Sequence, residues 1–198
     1  MARTIAKDYD EKRVRILKTA ASVFAREGFA RASMNQIAKE CGISKANIYH
    51  YYDGKDALLF DILETYLSEL RDRVCNLHLG GISAQEKLHR IVFEALLAYE
   101  GMDNEHKIQT EGIPLLPPQQ QDVLRGYQRD MVNLLSNVLK ENAPRVFEGD
   151  KAKLRAATMS IFGMLNWFYM WNSKSDKLAR ESYSELVAKM TLNGIKGL

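Results

Sequence analysis

Apolar residues recur at spacings of three and four along almost the whole chain, and this periodicity limits the fold more than any other feature. In the first such segment, Leu17, Ala21 and Phe24 fall on one side of a helix. Alternation of apolar and polar residues, the mark of a half-buried strand, does not stand out, and the Asp-Gly pair at 53–54 lies between helical patterns. The sequence therefore predicts an all-α fold.

The periodic segments also predict where the helices lie. They are separated by glycines and prolines that end or interrupt helices: Gly28, the pair Gly80-Gly81, and three of the four prolines, which lie within 112–121. The predicted helices are at about 9–27, 33–41, 44–52, 56–78, 83–100, 103–111, 119–141, 150–172 and 176–195.

Charge divides the chain unevenly. Residues 1–55 hold 11 Lys and Arg against 6 Asp and Glu, whereas residues 56–198 hold 17 against 19. A basic first quarter suits a nucleic acid or another anionic partner, and it equally suits a solvated basic face without a partner. The hydrophobic content of 46% is enough for a packed core in either case.

Two short helices and a tight turn occupy residues 33–52. Ser33, followed three residues later by Gln36, fits a capping box, and Ser44 fits the N-cap of the next helix. Gly42 can adopt the left-handed conformation that a turn of about three residues requires. Together with the helix before them, these segments predict an N-terminal three-helix helix-turn-helix domain at 1–55, followed by a helical region at 56–198.

The helix that begins after Ser44 is unusually rich in polar aromatic and basic side chains. Ile48 and Tyr52 are predicted to face the core, which spreads the other side chains over the surface: Lys45, Ala46, Asn47, Tyr49, His50 and Tyr51. Lysine and tyrosine can donate to phosphate, and asparagine can bind adenine through two hydrogen bonds.

Enzyme chemistry finds little support. The four histidines have no metal-ligand spacing, and the chain has no GxSxG, P-loop or GxGxxG pattern, so we expect no catalytic residue, metal or cofactor. Glu105 and His106 are interpreted as a solvated pair beside a loop. Two distant cysteines and an N-terminus without an apolar stretch predict a reduced cytoplasmic protein. The longest apolar run, 156–171, is too short to span a membrane.

Residues 28–59, GFARASMNQIAKECGISKANIYHYYDGKDALL, resemble the TetR family of transcriptional regulators. The pattern lies in Gly28-Phe29, Ser33, Ile37-Ala38, the turn from Cys41 to Ser44, the segment 48–52 and Lys55. Tyr52 stands where phenylalanine is common, Ala46 where glycine is frequent and Asn47 where threonine is frequent. The last two differences predict a base preference particular to this chain.

The resemblance implies a homodimeric repressor that binds double-stranded, palindromic operator DNA. It also implies that 1–55 is the DNA-binding domain and that 56–198 is the helical effector-binding and dimerisation domain. By this analogy the phosphate contacts are Ser33, Tyr49, Tyr51 and Lys55, and the base-reading residues are Lys45, Ala46 and Asn47, beside Ser44 and His50. Arg3 either enters a minor groove or lies in a frayed tail. Dimerisation would use the last two long helices, including Tyr183, Leu186, Val187 and Met190.

The stretch FGMLNWFYMWNSKSD, 162–176, resembles a TetR subgroup that responds to acyl-CoA thioesters. Five of its residues are predicted either to bind the effector or to lie in the dimer interface: Phe162, Asn166, Trp167, Met170 and Trp171. Nearby cations either bind CoA phosphates or are ordinary surface residues: Lys151, Lys153, Arg155 and Lys174. The predicted effector is therefore a small hydrophobic molecule, with a CoA thioester and a lipophilic drug-like molecule or fatty acid as the two alternatives.

Overall fold

The computed structural model describes residues 2–172 and 175–195, with side chains from residue 9 onward. Helices account for most of this part of the chain, and it contains no strand. The predicted all-α fold is confirmed. In chain order the helices are α1 (Ala2–Glu27), α2 (Met34–Cys41), α3 (Lys45–Tyr51), α4 (Lys55–Cys75), α5 (Ala84–Ala98), α6 (Asp103–Gly112), α7 (Pro118–Asn142), α8 (Lys151–Asn166), α9 (Phe168–Asn172) and α10 (Lys177–Gly194), with a 3₁₀ turn at Ile113–Leu115.

The largest differences from the predicted helix boundaries are at the start of α1 and at the end of α8; α4 also ends three residues early, at Cys75. Helix α1 begins at Ala2, seven residues before the predicted start at about 9. Apolar periodicity marks only the part of a helix that carries a buried stripe, so it could not show this extension. The helix predicted at 150–172 ends at Asn166, and α9 begins after Trp167. There the Met170 N–H donates to the Trp167 carbonyl, an i to i+3 bond that tightens the helix locally.

The chain forms two compact units. Unit 1 comprises Met1–Leu67 and Asn104–Leu124, and unit 2 comprises Ser68–Asp103 and Arg125–Leu198. Unit 1 thus holds α1–α3, most of α4, and also α6, which lies far beyond residue 55 in the sequence. The functional boundary between 55 and 56 stays a prediction.

The core of unit 1 combines α1, α2, α3 and the first part of α4. Its fully buried side chains include Ile16, Ile37, Ile48, Leu58 and Leu63. Helix α6 adds a buried polar group, because the Tyr66 hydroxyl and the Nδ1 atom of His106 lie 2.7 Å apart. The interpretation of Glu105 and His106 as solvated was wrong, since both side chains are buried.

The core of unit 2 rests on the packing of α5 against α10. Leu88, Val92 and Leu96 are buried on α5, and Val187 and Ala188 are buried on α10. Arg180, also buried, donates from Nη1 to the Leu96 carbonyl at 2.7 Å and from Nε to the Ser175 carbonyl at 3.3 Å. The guanidinium therefore satisfies a carbonyl in the last turn of α5 that has no partner within that helix. Within the described residues, no helix is both long and apolar enough to cross a membrane.

Candidate nucleic-acid interface

Local hydrogen bonds fix the ends of α2 and α3. Ser33 Oγ accepts from the Gln36 N–H at 3.2 Å, and Ser44 Oγ accepts from the Asn47 N–H at 3.1 Å. Gly42 has a φ of 69°, and its N–H donates to the Lys39 carbonyl at 3.1 Å. The predicted N-caps and turn are confirmed; each depends only on residues within four positions of one another. The capping box forms only in its Ser33 half, because the Gln36 side chain donates to Glu40 Oε1 at 3.3 Å.

Helix α3 has one buried side and one exposed side. Ile48 is fully buried and Tyr52, which follows the helix, is 8% exposed, as predicted. The rest of its surface, with the N-cap Ser44, carries nearly all the predicted DNA-contacting residues of this region: Ser44, Lys45, Ala46, Asn47, Tyr49 and His50 are exposed, and Tyr51 is partly buried. This side offers an ammonium, an amide, an imidazole, a phenol and a methyl group, which suit the edges and phosphates of DNA.

Tyr52 anchors α3 through its hydroxyl, at the position where the family commonly has phenylalanine. The hydroxyl donates to Asp61 Oδ2 on α4 at 2.5 Å. Arg13 on α1 donates to the same oxygen from Nε at 3.1 Å and forms an ion pair with the other carboxylate oxygen. Burial, together with the hydrogen bond to Asp61, raises the pKa of Tyr52 well above its ordinary value, so the phenol stays a donor. One carboxylate thus joins α1, α3 and α4.

Tyr51 is held by two aromatic neighbours. Its ring stacks on Tyr9 of α1 with centroids 4.7 Å apart, and His50 meets it edge-on at 5.9 Å. Tyr9 did not emerge from the sequence, because nothing in its local pattern shows that residues 42 positions apart stack.

Lys55 has a different environment from the one expected for a phosphate contact. Its Nζ donates to the carbonyls of Phe29 and Ala32, each at 2.8 Å, and lies 3.3 Å from that of Ala30. It also lies 4.8 Å from the centroid of the Phe29 ring. An ammonium has three N–H donors, and this geometry occupies all three. The structure thus places Lys55 as a support for the turn between α1 and α2, and its phosphate contact stays a prediction.

A second surface lies in unit 2, where α8, α9 and α10 expose large apolar side chains. Trp167 is 63% exposed and Trp171 is 59% exposed. The others on this apolar surface are Met159, Met170, Leu178, Leu186 and Met190. An exposed patch of this kind on a folded chain commonly marks an interface with another molecule.

The residues predicted for effector binding or dimerisation separate by burial. Phe162 is partly buried, and Asn166, also partly buried, accepts a 2.8 Å hydrogen bond from the buried hydroxyl of Tyr99. Tyr183 is partly buried and stacks on Phe168 at 4.6 Å. The prediction that Val187 lies in the dimer interface is corrected. Its side chain is only 1% exposed, within the core of unit 2, and is therefore not available to a partner subunit.

The remaining cations of the predictions are described only in part. Lys151 and Arg155 are exposed and Lys153 is partly buried. Lys174 lies outside the described residues, and the side chain of Arg3 is outside them as well.

Comparison with known proteins agrees with this arrangement. Residues 16–62 match the profile described as bacterial regulatory proteins, tetR family. Residues 81–195 match the tetracyclin repressor-like C-terminal domain, which covers more than half of the chain.

Three individual proteins illustrate the similarity. The HTH-type transcriptional regulator YerO of Bacillus subtilis is 30% identical over 159 residues, which cover 77% of this chain and 52% of YerO. The chain therefore spans about half the length of that relative. A TetR-family regulator from Bordetella parapertussis has 28% identity and a TM-score of 0.84, covering 94% of this chain and 96% of that one.

The third is AibR, solved in complex with isovaleryl coenzyme A and operator DNA. It shares 22% identity and a TM-score of 0.74, with 90% of this chain and 97% of AibR covered. That identity supports a common fold alone. With the capped α2–α3 pair and profiles matched over both parts of the sequence, this chain belongs to the TetR family of bacterial regulatory proteins.

Proposed function

We propose that the chain is a homodimeric transcriptional repressor that binds palindromic operator DNA and is released by a small hydrophobic effector. The observation that carries this proposal is the two-sided character of α3. Its inner side is held by the buried Ile48 and by the Tyr52–Asp61 hydrogen bond, while its outer side exposes every predicted base-reading residue. A helix fixed in this way can lie in the major groove with its side chains free to contact bases.

The residues on that side have separate roles in the proposal. Lys45 and Asn47 supply donors for base edges, and the Ala46 methyl group suits the methyl group of thymine. Tyr49 and Tyr51 contact phosphates, and Ser33 with the N-terminus of α2 adds another phosphate contact. His50 lies beside them and contacts either a base edge in the groove or the DNA backbone.

The apolar surface of unit 2 supports a homodimer. Exposed Trp167, Trp171, Leu186 and Met190 would be covered by the same surface of a second subunit, which is how a two-fold interface forms. A dimer can place two α3 helices about 34–36 Å apart, one turn of DNA. Effector binding that alters this spacing weakens DNA binding, and by linkage DNA weakens effector binding equally.

For the effector we propose a CoA thioester of a catabolic pathway, with a non-CoA lipophilic molecule or fatty acid as the alternative. The support is the resemblance of 162–176 to the acyl-CoA-responsive subgroup and the fold shared with AibR, a protein solved with isovaleryl coenzyme A. The exposed tryptophans are assigned to the dimer. The partly buried Phe162 and Asn166 are left as the candidates for effector contact.

Fluorescence anisotropy with DNA from the chain's own promoter region tests both the proposed DNA binding and the proposed class of effector. Acyl-CoAs of several lengths and phenylacetyl-CoA are titrated against free CoA and the matching free acids. Release by a thioester, without release by its acid, supports the CoA class, and release by the acid supports the alternative. Absence of any sequence-dependent DNA binding would overturn the proposed function itself.

A further inference from the structure

Several backbone carbonyls at the end of α1, and in the segment that joins α1 to α2, need hydrogen-bond donors. The last four carbonyls of a helix have none within it, and α1 ends at Glu27. Local groups supply some: Gly28 N–H donates to the Phe24 carbonyl at 2.9 Å, and Arg31 Nε donates to the Glu27 carbonyl at 2.7 Å. Lys55 Nζ donates to the carbonyls of Phe29 and Ala32, farther along the turn. The Ala25 carbonyl is satisfied from elsewhere.

Its partner is Lys107, 82 residues away on α6. Lys107 Nζ donates to the Ala25 carbonyl at 2.8 Å, and Ala25 is only 9% exposed. A cation at the C-terminus of a helix is also favoured by the helix dipole. The Lys107–Ala25 hydrogen bond therefore joins a charged donor to a carbonyl that would otherwise be largely buried without a partner.

Close packing of α6 against α4 fixes the backbone position of Lys107. Ile108 is buried beside it, and a Cβ atom placed on Gly112 would lie 3.2 Å from Leu59 Cδ1 of α4. Glycine thus allows α6 to approach α4 within unit 1. Any displacement of α6 along this contact moves the backbone of Lys107 relative to α1.

We propose that Lys107 is a positioning residue for the helix-turn-helix, and that it fixes the C-terminus of α1, and so the turn into α2, in the place set by α6. The bond crosses the two family profiles, because Ala25 lies in the N-terminal one and Lys107 in the C-terminal one. A cavity of about 430 Å³ is lined by both residues and by Phe24, Leu59 and Glu111. The Lys107–Ala25 hydrogen bond therefore lies at the wall of this cavity.

The test compares Lys107→Met, Lys107→Arg and a control, Lys18→Met, in the full chain. Lys18 is an exposed lysine on α1 of the same unit, so its loss reports the general effect of removing one positive charge. Two quantities are measured: exchange of the Gly28 and Ala32 amide hydrogens by NMR, and operator affinity by anisotropy. The affinity measurement rests on the proposed function, whereas the exchange measurement does not.

Lys107→Met is expected to speed exchange of the Gly28 and Ala32 amides and to weaken DNA binding, each by about fivefold or more. Lys107→Arg is expected to restore both, and Lys18→Met to change the exchange by less than about twofold. Equal exchange in Lys107→Met and the native chain would overturn the proposal, as would equal acceleration in α5 and α10 of unit 2, which indicates general destabilisation. A native chain that binds no DNA would count against the proposed function, and the exchange rates would still decide this inference.

Discussion

Tyr49 and Tyr52 lie three positions apart in the sequence, yet their hydroxyl groups have different surroundings. Tyr52 donates to Asp61 in a largely buried place, whereas Tyr49 is 44% exposed. In the family, phenylalanine is common at position 52, and tyrosine differs from it by one hydroxyl oxygen. The structure shows that the added oxygen is used, since it shares the Asp61 carboxylate with Arg13.

These two tyrosines give a matched pair of substitutions. Tyr52→Phe leaves Asp61 without one donor and is expected to lower the free energy of unfolding by about 1–3 kcal/mol. Tyr49→Phe is expected to change it by less than about 0.5 kcal/mol, while weakening DNA binding to all sequences. Urea unfolding at one protein concentration and operator anisotropy measure the two effects. The same loss of stability in both variants would contradict this assignment.

Lys55 and Lys107 show why a lysine's role is hard to predict from its place in a sequence. Lys55 matches the family motif that suggested a phosphate contact, but its ammonium reaches backward to carbonyls 23 to 26 residues earlier. Lys107 lies in a polar segment without a motif. Lys107 donates to a carbonyl in the last turn of α1, and Lys55 donates to carbonyls in the segment after it. Only the folded chain brings the two lysines to these acceptors.

At the scale of elements, caps and glycines define where the helices end. Gly42 has a φ of 69°, which places it in the left-handed region, while Gly126 lies inside α7. A Cβ on Gly126 would have an ordinary 3.7 Å contact with Arg129 Nη2. The same substitution should therefore have opposite effects at these two positions.

Gly42→Ala is expected to lower the free energy of unfolding by about 1–2 kcal/mol, because an alanine there is strained. Gly126→Ala is expected to raise it by about 0.5–1 kcal/mol, because alanine favours a helix interior. Thermal unfolding of both variants beside the native chain, at one concentration, measures the difference. Stabilisation by Gly42→Ala would show that the turn does not need its left-handed residue.

At the scale of the whole molecule, the apolar surface of α8–α10 raises the question of assembly. Met190 on α10 is 56% exposed within this surface, and Val123 on α7, in unit 1, is 44% exposed outside it. Met190→Glu is expected to weaken the homodimer by about 2 kcal/mol or more, about thirtyfold, because a carboxylate would be buried in an apolar interface. Val123→Glu serves as the control. Sedimentation velocity over a range of concentrations measures both.

Two results of that comparison would contradict the proposed dimer. One is a native chain that stays monomeric at all concentrations. The other is a Met190→Glu variant that dimerises as tightly as Val123→Glu. If the dimer positions two α3 helices on one operator, Met190→Glu should also lose DNA affinity although it lies outside unit 1.

The sequence by itself determined the helical class, the caps at Ser33 and Ser44, the turn at Gly42 and the exposed residues of α3. These depend on the helical period and on contacts within a few positions, which a linear pattern contains. Only the tertiary structure decided that Val187 is buried, that His106 is bonded to Tyr66, and that α6 joins unit 1. Such features depend on which helix faces meet, and many residues far apart in the chain determine that together.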